Sequence, residues 1–422
     1  MKSTLSIRRA IRAIPAAARN PTVALLVLTS GLLAAPAAAQ TLEPEPPANT
    51  RIRIGPLQVN PTLSLTNIGV DQNVFNEPPE DEPKEDFTAT IQPTIALWLN
   101  VGRARVTASL KEEIIWYQKY SSERSANTTY AAAWRLPLNR LVLQAGWKYA
   151  KLKDRPGFEI DKRSERSQVG YNGSVEVRAL AKTLFGVTGT RQSIDFAEDV
   201  VFRDVNLHDQ LNSVSTTLGL TVRHELTPLT SVSVNVARVQ DRFDFSPLRD
   251  SDSTEVIGAI ALNSFAIIKG TASLGYRDFK PASSVVRGYQ GTVGAADLSY
   301  TLLGATRFAV AAKRDVQYSY DNDQPYYLET GVDFSVAQQI FGPFDVVGRF
   351  GNHDLAYRTR VLPTPTNVGQ VDNVKSYGAG VGLHLGKELR LGFNVDRIRR
   401  DSDVRIRRYE NLKFGSSITY GF

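Results

Sequence analysis

The last eleven residues, Leu412 to Phe422, constrain this chain more than any other stretch. Every second residue back from the end gives Phe422, Tyr420, Ile418, Ser416, Phe414 and Leu412. The intervening set is Gly421, Thr419, Ser417, Gly415 and Lys413. Side chains alternate across a strand, so one face is aromatic and aliphatic and the other small or polar. In a soluble sheet, a strand that ends on an aromatic with no polar tail is an adhesive edge. The same strand fits the closing position of a barrel whose outer face meets lipid.

The rest of the chain supplies partners for it. From Leu57 onward, strand-like runs of about 10–17 residues alternate with two kinds of connection. Short ones are Asn100-Val101-Gly102, Pro137-Leu138-Asn139, Leu226-Thr227-Pro228, Phe341-Gly342-Pro343 and Gly386-Lys387-Glu388. Longer, polar ones span Ile68 to Asp86, Asp154 to Arg163, Ala197 to Leu207, Lys280 to Gly288 and Val361 to Asn373. Tight turns at one rim and loops at the other are the pattern of a transmembrane barrel. Within the runs, Leu141, Leu143, Ala145, Trp147 and Tyr149 oppose Gln144, Gly146 and Lys148. Leu389, Leu391, Phe393 and Val395 oppose Arg390, Asn394 and Asp396 in the same way.

Counting connections predicts an all-β fold: a transmembrane antiparallel barrel of about 18 strands, in the 16–18 class, over residues 57–422, with both ends on the short-turn side. A soluble sandwich has shorter strands, about 5–6 residues, and buries its apolar faces. Trp116, Tyr117, Tyr149, Tyr318, Tyr320, Tyr326, Tyr420 and Phe422 fall near run ends, where interfacial girdles belong. Glu112 and Arg314 fall on apolar faces, where a mid-bilayer charge costs roughly 2–4 kcal/mol, so a bulge or a position near the rim is expected at each.

Composition restricts the function. There is no Cys, so disulfides and thiolate metal sites are excluded. The formal charge of +7 suggests an anion or nucleic-acid binder, but Lys2, Arg8, Arg9, Arg12 and Arg19 stand in a leading segment that has no acid. Without them the chain is close to neutral, and no nucleic-acid partner is expected. That segment has a basic start, a short apolar core from Val23 to Leu33, and Ala37-Ala38-Ala39 before Gln40. It reads as a secretory signal peptide, residues 1–39, cleaved after Ala39, followed by a flexible linker over 40–56.

Two resemblances follow. The closing strand resembles those of bacterial outer-membrane β-barrels, which commonly end in Phe with aromatics at alternate positions. That resemblance implies that Phe422, Tyr420 and Ile418 form an ending read by the outer-membrane assembly machinery of a Gram-negative cell. Further upstream, Val59-Asn60-Pro61-Thr62-Leu63 leads into Asp71-Gln72-Asn73-Val74-Phe75, then Asp86-Phe87 and Ile91-Gln92-Pro93. This resembles the start of the family called putative outer-membrane β-barrel porin type 2. Members are often encoded near surface-polysaccharide export systems. The resemblance therefore implies an outer-membrane porin or export channel, with polysaccharide-export components as partners, and it supplies no catalytic residues.

The residues point to no cofactor or metal site. His353-Asp354 could suggest a hydrolase, but neighbours in a strand point to opposite faces. Asp321-Asn322-Asp323 reads as a polar hairpin loop rather than a calcium loop. The better candidates are charges that alternation points into the lumen: Lys111, Glu113, Lys148, Glu176, Arg223, Arg277, Glu329, Asp333, Arg349, His384, Arg390, Arg405, Arg407 and Lys413. Such charges set solute selectivity, or pair and fill a polar lumen. Arg397, Arg399 and Arg408 fall outward near the loop end, where guanidinium would meet lipopolysaccharide phosphates. The function expected is a porin or channel, for surface-polysaccharide export or passive solute diffusion. A non-conducting structural barrel and an outer-membrane hydrolase are the alternatives.

Overall fold

The structure is a computed structural model and describes residues 46, 50–263, 266–361 and 369–421. The expected signal peptide, part of the connection between Val361 and Asn373, and Phe422 lie outside the described residues.

The chain forms a closed antiparallel barrel of 18 strands. They are β1 (Leu57–Asp71), β2 (Asp86–Val101), β3 (Ala104–Tyr117), β4 (Ser125–Pro137), β5 (Leu141–Asp154) and β6 (Ser164–Leu180). Next come β7 (Thr183–Phe196), β8 (Ser213–Thr227), β9 (Thr230–Phe243), β10 (Ser251–Leu262), β11 (Ile268–Pro281) and β12 (Tyr289–Leu302). The last are β13 (Thr306–Tyr318), β14 (Tyr326–Gln339), β15 (Phe344–Arg358), β16 (Val371–Leu385), β17 (Leu389–Asp401) and β18 (Tyr409–Tyr420). Each strand pairs with its sequence neighbours, and β18 closes the ring on β1 with Leu63 opposite Tyr420 and Asp71 opposite Lys413. A short strand, Ile52–Ile54, folds back on β1, so the stretch read as linker enters the sheet at its end.

Short turns join strands at the rim that also holds the start of β1 and the end of β18; loops join them at the other. In a bacterial barrel the short-turn rim is periplasmic. Gly102 and Gly386 take φ of 58° and 71° there, conformations that an L side chain rarely adopts.

The alternation read from the sequence sets the two faces. Leu218, Leu220, Leu274 and Tyr377 stand exposed on the outside. Outward apolar residues run about 8–10 positions up from the turns, roughly 20–25 Å at the usual strand rise and tilt. Above that belt the outer face turns polar, with Lys151, Arg238, Asn352 and Arg397. Glu112 and Arg314 sit at this upper edge. The register runs past both without a shift, so the bulge expected as one alternative is absent. Glu112 accepts from Thr128 Oγ1 (2.7 Å) and Tyr130 OH (3.4 Å), and Arg314 donates to Thr330 Oγ1 (2.6 Å). β1 does carry an irregularity, between Leu65 and Ile68 against β18 and between Thr66 and Gly69 against β2.

The apolar core lies in the extracellular mouth rather than between layers. Ile160, Phe196, Phe202, Leu207, Phe243 and Tyr320 pack together there. Loop 197–212 contributes a small hairpin with Arg203 and Asp204 at φ 49° and 62°, then α1 (Leu207–Leu211), whose Asn206 cap accepts from His208 N. Tyr117, Tyr320 and Tyr326 are buried in the mouth, not in a lipid girdle as expected, because each faces or folds over the lumen. β13 stops pairing with β12 above Arg314, and Tyr318 reaches Asp241 on β9 instead (2.7 Å).

Candidate functional site: the lumen and its extracellular constriction

Loop 155–163 leaves β5, crosses the lumen and meets the opposite wall of the ring. Arg400 on β17 fastens it. One Arg400 nitrogen donates to Phe158 O (2.7 Å), Glu159 O (3.1 Å) and Asp161 Oδ2 (3.1 Å). The other donates to Asp372 Oδ2 (2.6 Å) and Tyr357 OH (3.3 Å). The guanidinium is fully buried, and a buried charge is tolerated only when paired and hydrogen-bonded in this way. The Phe158 ring lies 4.3 Å from the His353 ring of β15. Glu159 accepts from Ser319 Oγ (2.6 Å) and, at 3.4 Å, from Tyr320 N.

The neighbouring loops brace this crossing. Arg249 holds loop 319–325 through Ser319 O (2.8 Å) and Asn322 Oδ1 (3.1 Å). Arg407 lies 3.3 Å from Asp321, and Arg360 lies 2.6 Å from Asp323. The Asp321-Asn322-Asp323 stretch is thus a polar hairpin loop whose side chains are taken by arginines. Burial pushes the Glu159 carboxyl up to about 7, against the pull of Arg407 and Arg400. Burial also raises Asp161, against Arg400 and Arg203, and lowers Arg249 to about 10.

Below the constriction, paired charges line the wall. Arg349 on β15 reaches Asp396 on β17 (2.8 Å) over Gly378 of β16. Arg390 on β17 reaches Asp345 on β15 (2.6 Å) over Gly382, and His384 joins the same carboxylate (2.6 Å). Arg223 on β8 reaches Glu176 on β6 past Gly186 of β7. A Cβ at Gly378 would lie 2.7 Å from Arg349 Nε, so the glycine is what lets the strap lie flat. Arg277 pairs with Asp315 (3.0 Å) and Glu255 (3.2 Å), and Lys413 pairs with Asp71 (2.9 Å). Glu329 meets Lys313 (3.3 Å), Asp333 meets His353 (3.1 Å), and Glu113 accepts from Asn127 (3.1 Å). Lys111 and Lys148 are exposed to the lumen without an ion pair to a carboxylate among the described residues.

Two expected lumen charges lie elsewhere. Residues 402–408 form a loop with a short 3-10 turn, so alternation does not run through them. Arg405 is exposed and pairs with Asp81 of another loop (3.1 Å), and Arg407 is buried in the mouth. Arg408 belongs to the same loop and donates to Ser402 O (2.5 Å). Arg397 and Arg399 point outward but are engaged by Glu410 and Asp401, both at 2.7 Å. His353 points inward, while Asp354 points outward to Asn373 (2.5 Å), so the two do not act together. Tyr420 is exposed on the outer face, with Arg51 stacked 4.8 Å from its ring; Ile418 shares that face.

Sequence reasoning missed Phe158, Glu159, Arg400 and Asp372, because their meeting depends on loops from opposite walls. It also missed Arg135, which the alternation of Trp134 and Leu136 could have flagged as facing inward.

The family described as "Putative beta-barrel porin 2" matches residues 45–422. The chain belongs to this family. It is an outer-membrane β-barrel of the porin kind. No curated protein matches the chain. Among solved structures, the chain is similar to a BenF-like porin from Pseudomonas fluorescens Pf-5, with 10% identity, 87% of this chain and 98% of that chain covered, and a TM-score of 0.45. It is also similar to OccK9 (OpdG) of Pseudomonas aeruginosa, with 12% identity, 86% and 97% covered, and a TM-score of 0.43. A bacterial polysaccharide outer membrane secretin has 12% identity, 86% and 98% covered, and a TM-score of 0.31.

Proposed function

We propose that this porin-family barrel is an outer-membrane channel whose aqueous path is narrowed at the extracellular face by loop 155–163. The observation that carries the reading is the contrast between wall and mouth. An 18-strand ring is wide enough for an aqueous channel, and charged and polar side chains line much of its inner face, with apolar ones such as Trp98, Val142, Leu184 and Val347 among them. Loop 155–163 crosses the lumen, braced by loop 197–212 through Arg203, and both are held by hydrogen bonds and ion pairs that can open, not by the wall itself. The cargo is a surface polysaccharide on its way out, as the family resemblance implies, or small solutes that diffuse passively.

Planar-bilayer recording tests this. Discrete conductance steps from the purified barrel, growing larger when the loop is released, are the expected outcome. A second reading, a non-conducting structural barrel, draws on the buried ion pairs that lace the mouth together. It predicts a silent bilayer even after the loop is released. An outer-membrane hydrolase would instead show lipid or peptide cleavage that disappears in His353→Ala.

A further inference from the structure

The lumen charges divide into two groups. Around most of the ring each lumen arginine has its own carboxylate, as in Arg223–Glu176, Arg349–Asp396 and Arg390–Asp345. On β3, β4 and β5 this bookkeeping fails. Lys111, Arg135 and Lys148 project from the inward face of three successive strands. Among the described residues none of them has a carboxylate within ion-pair distance. Lys111 and Lys148 are exposed to the lumen, and Arg135 is half-buried, with its Nε lacking a hydrogen-bond partner.

The register shows how they are arranged. Lys111 stands opposite Thr129 and Lys148 opposite Ala131, so two cations flank one strand that offers only small inward side chains at this level. Gly170 stands opposite Lys148 on the other side. Arg135 lies nearer the periplasmic turns, directly opposite Arg105 and next to Gln144. Glu113, the acid on the same wall, accepts from Asn127 instead.

Like charges directly opposite each other across strands destabilise a sheet. The rest of this wall avoids that arrangement by strapping cations to acids over glycines. Lys111 and Lys148 beside a floor of Thr129, Ala131 and Gly170, with Arg135 below them, leave room and positive potential for a guest. A wall of one sign raises the local concentration of the opposite charge and steers it. We propose that the β3–β5 wall is a lane for anionic cargo, a solute or polymer bearing carboxylate or sulfate-like groups, which moves between the Arg135 level and the Lys111–Lys148 level. This rests on the channel reading above and specifies its substrate class.

The experiment is a reversal-potential measurement across a potassium chloride gradient, with the full barrel in a planar bilayer. It uses the Arg400→Ala background, so that the loop does not limit current. The expected result is a several-fold preference for chloride over potassium. Changing Lys111, Arg135 and Lys148 together to Gln should abolish it. Lys148→Gln alone, at an exposed position whose loss leaves the fold intact, should lower it by about half. Dextran sulfate added on the periplasmic side should block current at concentrations where neutral dextran does not, and the triple variant should lose that block. Conductance whose selectivity and block are the same in all three proteins overturns the lane and leaves the channel standing. A bilayer that stays silent in the Arg400→Ala background overturns the channel and the lane with it.

Discussion

Asn73 and Asn411 bind each other twice across the seam where the last strand meets the first. Asn73 N donates to Asn411 Oδ1 (3.2 Å), and Asn411 Nδ2 donates back to Asn73 O (2.9 Å) and on to Asp71 Oδ1 (2.8 Å). Asp71 also receives Tyr117 OH (3.1 Å) and lies 2.9 Å from Lys413 Nζ. The Asp-Gln-Asn-Val-Phe stretch that carried the family resemblance is therefore the clasp that fastens the ring. Both asparagines are buried, and a buried polar group left unpaired costs about 1–3 kcal/mol. Asn411→Ala should lower the denaturant midpoint of the barrel refolded in detergent. An unchanged midpoint would show that strand pairing alone holds the seam.

Arg400→Ala should release loop 155–163. Removing one partner of a buried charge pair costs roughly 3–5 kcal/mol, here concentrated on one crossing loop. The barrel should still migrate as a folded species on an unheated gel, because Arg400 stands at the extracellular end of β17 and the strand ladder below does not depend on it. Larger conductance steps, or protease cleavage within residues 155–163, are the readouts. Wild-type behaviour in both would mean that the neighbouring loops suffice to hold it.

Acidity should tighten the constriction. Glu159 titrates near 7 when the loop is docked and in the ordinary glutamate range when it is free. The docked state thus binds more protons between those two values, and its advantage is lost as pH rises through them. Asp161, also raised, acts in the same direction. Arg407, Arg400 and Arg249 face the site and stay charged throughout this window, and Asp321 pairs with Arg407. Each pH unit is worth about 1.4 kcal/mol, so the whole effect is on the order of 3 kcal/mol. Current should be smaller at pH 5 than at pH 8, and Glu159→Gln should flatten the dependence. A dependence of opposite sign would place the controlling proton elsewhere.

The glycine straps can be tested by filling the space beneath one. Gly378→Val would push a side chain into Arg349 and Asp396 and break their pair. Gly348→Val, where a Cβ meets nothing within 4 Å, is the matched control. The first should lose roughly 1–3 kcal/mol of stability in urea, and the second little. Equal losses would mean that a larger residue in the strand, not the broken strap, is the cause.

The sequence made the wall legible because its signal is local. A period of two in Leu141–Tyr149 or Leu389–Asp396 needs no partner to be read, and the alternation of Gly102-type turns with polar loops gives the topology. The mouth is another matter. Arg400 and Phe158 are 242 residues apart, and nothing near either marks it for burial. Arg405 and Arg407 were misplaced because alternation was carried through Asp401-Ser402-Asp403, a stretch whose small acidic residues favour a turn. The seam clasp was visible as a motif, but its partner Asn411 lay among strand residues with no mark of its own.

The polar collar above the apolar belt sets where the constriction stands. Outward residues turn from Tyr377 and Val395 to Lys375 and Arg397 well below the loops, so the upper part of the barrel projects beyond the hydrocarbon of the bilayer. Loop 155–163 therefore stands outside the hydrocarbon, and a release of the kind proposed for it would take place there. Lateral pressure and lipid thickness act on the lower strands and leave it alone. A loop placed there is within reach of external acidity, salt, and any particle or antibody that can touch the cell surface.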